Sequence, residues 1–220
     1  MPTGDTHDDT WPLFYHYNQT VPRPTWGLIA RRAWLVSLII DFITAKRTEL
    51  IDPGRLHMFG HSRNGKQTLI AAAYDERILS VAGSSPGFPI ATPARFASNA
   101  YAAEQWPSSH IGAGSCSRSG TGPPDENPPD LVGCAWWTAS VQGYYGRAPW
   151  LPADGHFVTA LIAPRNLVIG SAHNDHDSDN SFSNEQNLAS LTSLHAMLDC
   201  AGSAQIAYRP GDHVGLIDVG

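Results

Sequence analysis

Residues 55–66 read RLHMFGHSRNGK, and this stretch predicts a strand that turns directly into a helix. Its apolar first half, residues 55–60, fits a buried parallel strand, and a helix is expected over residues 65–74. Ser62 therefore stands at the turn between them. A serine at such a turn needs small neighbours, projects its hydroxyl over the sheet edge and lies near the positive end of the helix. Ser62 is a candidate nucleophile, and the alternative is that it only caps the helix.

The rest of the chain alternates between helical and strand patterns on both sides of this turn. A helix is expected over residues 25–45, where apolar side chains recur at helical spacing after Pro24. Further elements are strands over residues 79–83, 166–172 and 205–208, with helices over residues 157–162 and 184–198. Such alternation gives an α/β fold, here with a mostly parallel sheet of about four to five strands and helices on both faces.

The composition is that of one globular domain. The chain has 220 residues, of which 42% are hydrophobic and 15% charged, and this excludes disordered and fibrous classes. The regular pattern weakens over residues 94–147, which include a stretch rich in Gly, Ser and Pro, so a loop or cap insertion is expected there. We expect residues 1–220 to form a single domain.

Charge and hydropathy argue against two classes of partner. The net charge is −6 and the sequence has no run of Lys or Arg that could neutralise phosphates, which argues against nucleic acid. The most apolar window, residues 34–43, is about half the ~20 residues that a membrane span needs, so no membrane partner is expected. The N-terminus, MPTGDTHDD, lacks the apolar core of a secretory signal, and the compartment stays open.

Two later strand ends offer the groups that a serine nucleophile needs. In a parallel sheet, ligands bind at the carboxyl ends of the strands. After the third predicted strand comes HNDHDSD, which supplies Asp175, Asp177 and Asp179, and His213 follows the last strand. A histidine removes the serine proton and a carboxylate fixes the histidine tautomer. Because α/β-hydrolases carry these groups in the order Ser, acid, His, the sequence predicts an α/β-hydrolase fold.

Two stretches of this sequence resemble carbohydrate esterase family 15, the glucuronoyl esterases and their bacterial α/β-hydrolase relatives. The first is GHSRNGK at residues 60–66, in which the second glycine of the usual G-x-S-x-G pattern is displaced by one. The second is LPADGH at residues 151–156 together with ALIAPR at residues 160–165. The resemblance spans roughly residues 26–213.

The resemblance implies roles for four residues. Ser62 would be the nucleophile, Arg63 a side-chain donor to the oxyanion, Lys66 a contact to sugar hydroxyls, and His213 the base. The implied substrate is a carboxylic ester of a sugar or uronic acid, either a small molecule or part of a polysaccharide. No cofactor is expected.

The sequence departs from the family pattern at two places. Many members carry the catalytic acid, a glutamate, in the loop after the second strand, but residues 83–87 here read GSSPG and contain no carboxylate. The acid is then expected after the third strand, which favours Asp175, with Asp177 and Asp179 left open. Members often follow that later acid with a tryptophan that contacts the uronic acid, and His176 stands here. A general or acetyl-xylan esterase is therefore the alternative function.

The number of residues before Ser62 is a second reason to expect that Arg63 stabilises the oxyanion. Only 61 residues precede Ser62, and about 50 of them are needed for the first loop, helix and strand, so four earlier strands cannot fit. The loop that usually supplies a second oxyanion amide is then missing, and the Arg63 guanidinium would stabilise the oxyanion by about 3–4 kcal/mol instead. We expect a chain cut at both ends, and an inactive fragment of such an enzyme is a further possibility.

Two weaker patterns complete the set of candidate residues. The segment from Asp175 resembles the start of a calcium loop, but Asn180 and Gln186 replace the glycine and glutamate that such a loop requires, so no metal site is predicted. Trp136 and Trp137 are candidates for a sugar-stacking surface, and a mixed core and surface role is the alternative.

Overall fold

The predicted alternation of helices and strands is confirmed in the structure. The computed structural model describes residues 28–47, 49–87, 89–95, 148–175, 181–200 and 203–213. The helices are α1 (Leu28–Lys46), α2 (Ser62–Tyr74), α3 (Gly155–Ala160) and α4 (Ser181–Met197). The strands are β1 (Leu56–His61), β2 (Ile78–Ser84), β3 (Asn166–Ala172) and β4 (Ala204–Arg209), and short 3-10 helices occupy Pro53–Arg55 and Ala148–Trp150.

The four strands form one parallel sheet in the order β1-β2-β3-β4. Their carboxyl ends are level, because His61 pairs with Ser84, Ser84 with Gly170, and Gly170 with Ala207. The segments that follow the four strands therefore leave the sheet at the same edge. This edge is where the sequence places the candidate nucleophile, acid and base.

The described helices cover one face of the sheet. Helix α2 contacts β1 and β2, α4 contacts β3 and β4, and α3 contacts both of these helices, while α1 packs on α2. A right-handed crossover that always moves to the next strand in the same direction puts each connecting helix on the same side. The core lies between this helical layer and the sheet, with Ile29, Leu69, Val81, Ile169 and Leu191 among its buried members.

The opposite face of the sheet is open among the described residues. Phe59 is 64% exposed and Leu79 is 40% exposed. His57 and Gln205, which also alternate with the core positions, are exposed as well. The sequence predicted helices on both faces, whereas the helices that the structure describes lie on one.

Buried polar side chains join the segment after β2 to the helical layer. Thr92 donates to Asn184 Oδ1 (2.9 Å), and Asn187 donates to the carbonyl of Ala91 (2.9 Å) and accepts from Thr159 (3.0 Å). These four side chains have no exposed surface, and their polar groups are paired, as burial requires. Residues 89–95 are thereby fixed to α3 and α4.

Two sequence expectations concern the start of α2 and residues 94–147. The helix predicted from residue 65 begins instead at Ser62, because the first turn of α2 includes the residues of the strand-to-helix turn. The loop or cap insertion predicted at residues 94–147 lies almost entirely outside the described residues. Among the described helices, none combines the length and the apolar character that crossing a membrane would require.

Candidate active site

Ser62 stands on a sharp turn between β1 and α2. Its φ is 56°, in the left-handed region that residues with a side chain rarely adopt. The turn also brings backbone close together, since a Cβ on Gly60 would lie 2.3 Å from the Asn64 carbonyl oxygen and 2.5 Å from Thr68 Oγ1. Position 60 therefore requires glycine. Asn64 takes the place of the usual second glycine, and it is exposed.

Ser62, His213 and Asp175 form a continuous chain of hydrogen bonds. The distance from Ser62 Oγ to His213 Nε2 is 2.8 Å, and from His213 Nδ1 to Asp175 Oδ2 it is 2.7 Å. A carboxylate can only accept, so Nδ1 carries the proton and Nε2 is left to accept the serine proton. The Asp175 side chain is fully buried, and that of His213 is 26% exposed. The His213 side chain is thus partly open to solvent, while the Asp175 carboxylate is not.

Backbone hydrogen bonds extend the β3–β4 pairing into the loops that carry Asp175 and His213, the candidate acid and base. The amide of His173 donates to the carbonyl of Arg209 (3.1 Å), and the amide of Asn174 donates to that of Gly211 (3.0 Å). The Asp175 amide lies 3.4 Å from the carbonyl of Ala172, the last residue of β3. Asp175 therefore lies three residues after the end of β3, in a segment held by backbone hydrogen bonds. This short distance from the strand end is the reason for favouring it over Asp177 and Asp179.

His61, the residue before Ser62, also lies against the His213 ring. Its ring centroid is 4.9 Å from that of His213, at an interplanar angle of 39°, and its Nδ1 is 3.2 Å from Ser84 Oγ. Burial, followed by the nearby His213 and Arg209, lowers the pKa of His61, so its neutral form is favoured. Sequence reasoning does not indicate this contact, because position 61 is the variable residue of the G-x-S pattern.

The other candidate residues have different surroundings. Arg63 is half-buried in the first turn of α2, directly after the nucleophile candidate. Lys66 is buried, and its Nζ donates to the carbonyl of Pro86 in the segment after β2. Its predicted contact to sugar hydroxyls stays a prediction, and the structure adds an internal partner for the same ammonium group.

Several candidates lie outside the described residues. These are the tryptophan pair, Trp136 and Trp137, and the two later aspartates, Asp177 and Asp179. The choice of acid therefore rests on the bond between Asp175 and His213, and the sugar-stacking surface remains a prediction.

Comparisons with known proteins identify relatives of this chain. The family described as "Glucuronyl esterase, fungi" matches residues 7–198. The chain is 30% identical over 149 residues to a 4-O-methyl-glucuronoyl methylesterase of Hypocrea jecorina, covering 65% of this chain and 27% of that protein. It is 31% identical over 150 residues to the enzyme of the same name from Podospora anserina, covering 65% of this chain and 26% of the relative.

Solved structures share the fold. The glucuronoyl esterase from Sporotrichum thermophile superposes with a TM-score of 0.70 at 20% identity, covering 96% of this chain and 52% of that one. This likeness shows an α/β-hydrolase fold. The chain spans about a quarter of the length of the two curated relatives and about half of the solved chain. On the strength of the family match over residues 7–198, the chain belongs to the glucuronyl esterase family.

Proposed function

We propose that this chain carries the triad of a serine esterase that hydrolyses a carboxylic ester of a uronic acid. The observation that carries the proposal is the hydrogen-bond chain from Ser62 through His213 to Asp175. The curated relatives, named 4-O-methyl-glucuronoyl methylesterases, support a methyl-type ester of a glucuronic acid as the substrate class. The uronic acid is either free or attached to a polysaccharide.

The proposed reaction proceeds through an acyl-enzyme on Ser62. Ser62 Oγ attacks the ester carbonyl carbon while His213 Nε2 takes its proton, and the carbonyl oxygen becomes an oxyanion. The intermediate collapses, and the alcohol leaves with the proton from Nε2. Water then repeats the sequence on the acyl-enzyme, releasing the acid and restoring the serine. Asp175 holds the Nδ1 proton throughout and stabilises the imidazolium.

The oxyanion would be stabilised at the N-terminus of α2. The amide of Arg63 follows the nucleophile at the start of this 13-residue helix, whose dipole favours negative charge there. We propose that the Arg63 guanidinium supplies a further donor to the oxyanion. Removing one such donor costs about 10²–10³ in kcat in enzymes of this type.

Substrate recognition is proposed for three side chains. Lys66 would contact sugar hydroxyls with its ammonium group, as the resemblance to the family implies, while the same group donates to the Pro86 carbonyl. Trp136 and Trp137 would provide the stacking surface. Alanine at either tryptophan should raise KM for a uronate ester more than for a simple acetyl ester, and equal changes would argue against a stacking role.

The test is hydrolysis by the 220-residue chain itself. We expect release of the acid from a methyl ester of 4-O-methyl-glucuronic acid, followed by chromatography, and labelling of Ser62 by a fluorophosphonate, located by peptide mass spectrometry. Ser62→Ala should abolish labelling and lower turnover by at least about 10⁴-fold. Ser193→Ala, an exposed serine on α4 whose hydroxyl bonds its own helix, is the matched control and should leave both unchanged.

Other outcomes would contradict the proposal in distinguishable ways. Faster hydrolysis of p-nitrophenyl acetate or acetylated xylan than of the uronate ester would favour the acetyl-xylan esterase alternative. Labelling of a serine other than Ser62 would refute the triad. A folded chain with neither turnover nor labelling would indicate an inactive fragment.

A further inference from the structure

Arg209, the last residue of β4, turns its side chain back onto the loop that carries His213. Its Nη1 donates to the carbonyl of Asp212 (2.7 Å) and its Nη2 to that of His213 (3.3 Å). Gly211, with a φ of 90°, makes the reversal that brings these two carbonyls around the guanidinium. One side chain thus binds the backbone of the candidate base and of the residue before it.

The same guanidinium is anchored to the middle of the sheet. Nη2 also donates to Ser85 Oγ (3.0 Å), on the residue that directly follows β2. Ser85 is fully buried, and its amide donates to the Gly170 carbonyl at 2.7 Å. Its φ of 43° shows that the backbone leaves the strand in a conformation fixed by its surroundings. Ser85 is therefore a rigid support for Arg209.

The base needs such support, because its loop lies beyond the end of the strand. The described backbone bonds between the acid and base loops end at Gly211, two residues before His213. Yet the imidazole must satisfy bonds of 2.8 and 2.7 Å to two partners at once. A displacement of about 1 Å can cost 10²-fold in rate. The planar guanidinium suits this task, because its donors have a fixed geometry that a lysine ammonium cannot reproduce.

We propose that Arg209 is a positioning residue that holds the main chain of His213 against Ser85, so that the imidazole stays aligned between Ser62 and Asp175. The inference rests on the proposed function, since it assigns Arg209 a role in the same site. It differs from a contribution to stability alone, because the main consequence of losing Arg209 is a misaligned base in a chain that is still folded.

Kinetics of the 220-residue chain separate these two roles. Arg209→Met should lower kcat by about 10²-fold while KM changes by less than about threefold, measured well below the melting temperature of the variant. Arg209→Lys should recover only a small part of the loss. Ser85→Ala, which removes the anchor alone, should lower kcat by about 3–10-fold. Arg47→Met, at an exposed arginine paired with Glu49, is the control and should leave kcat unchanged.

A second readout does not depend on turnover. The proton between His213 Nδ1 and Asp175 should give a low-field proton NMR resonance that is absent in His213→Gln. We expect the resonance to be sharp in the wild type and broadened or lost in Arg209→Met and weakened in Ser85→Ala. An unchanged resonance, or a kcat within threefold of wild type in folded Arg209→Met, would overturn the inference. Absence of turnover in the wild type would count against the proposed function, and the resonance would still decide the role of Arg209.

Discussion

Replacing Asp175 with asparagine tests the arrangement of the triad most directly. The carboxylate is fully buried and lies 2.7 Å from His213 Nδ1, so water cannot take its place. An amide at this position can donate to Nδ1, which would move the imidazole proton to Nε2. Nε2 would then have no lone pair for the Ser62 hydroxyl, 2.8 Å away, and Ser62 would keep its proton.

The expected loss follows from this tautomer change. Asp175→Asn should lower kcat by about 10⁴-fold, equivalent to about 5 kcal/mol of transition-state stabilisation, with a small change in KM. The assay is initial-rate kinetics on an activated ester, combined with the rate of fluorophosphonate labelling of Ser62. Both rates should fall together, because both depend on removal of the same proton.

Asp177→Asn and Asp179→Asn are the matched controls. They lie in the same acidic segment, and each removes one negative charge as Asp175→Asn does. We expect each to change kcat by less than about tenfold, because neither is expected to contact His213. A loss of less than tenfold for Asp175→Asn, or the same modest loss at all three positions, would refute the assignment of the acid.

Three further outcomes are expected. Gly60→Ala should lower the free energy of unfolding by about 3 kcal/mol in urea titrations. Gly54→Ala, whose Cβ would meet only a flexible side chain at 3.3 Å, should change this free energy little. Equal effects of the two substitutions would contradict the close packing at the turn. Asp154→Ala should lower the free energy of unfolding by about 3 kcal/mol, because the buried carboxylate caps α3 and accepts from the amides of residues 94 and 95. A loss below about 1 kcal/mol would show that other partners can replace these hydrogen bonds. The pKa of His61 lies below its usual 6.5 in the folded chain, so the unfolded chain binds the proton first as the pH falls, and the free energy of unfolding should decrease from pH 7 to pH 5. His61→Phe should make this decrease smaller. An unchanged pH dependence in His61→Phe would argue against the lowered pKa.

The parts of the fold that the sequence predicted well are those governed by local patterns. Strand β3 was predicted over residues 166–172, as the structure has it, because it is a short apolar run followed by polar residues. The core side of α1 was visible as helical spacing, and Ile29, Ala33, Val36 and Ile40 are buried. Because parallel strands end at the same edge of a sheet, the sequence alone predicts Ser62, Asp175 and His213 at one edge, without any knowledge of side-chain contacts.

The interactions missed from the sequence are those between residues far apart in the chain. Arg209 and Ser85 are separated by 124 positions, and no periodic pattern links a guanidinium to a buried hydroxyl at that distance. The resemblance implies a substrate contact for Lys66, and the structure adds a bond from its ammonium group to the Pro86 carbonyl that the sequence does not indicate. A lysine near the start of a helix is usually solvated. The burial of Lys66 involves the segment after β2, whose sequence carries no signal for this contact.

The distance along the chain between Ser62 and His213 has a consequence for folding. Ser62 and His213 are 151 positions apart. His213 follows β4, the strand farthest from β1 in the described order, so their hydrogen bond requires β4 to be paired with β3. Contacts of this sequence separation close late, because the entropy of the intervening chain opposes them until the intermediate strands are in place. A refolding chain would therefore regain helix and hydrophobic burial before it regains a reactive serine. Labelling of Ser62 during refolding would report the completion of the sheet rather than its nucleation.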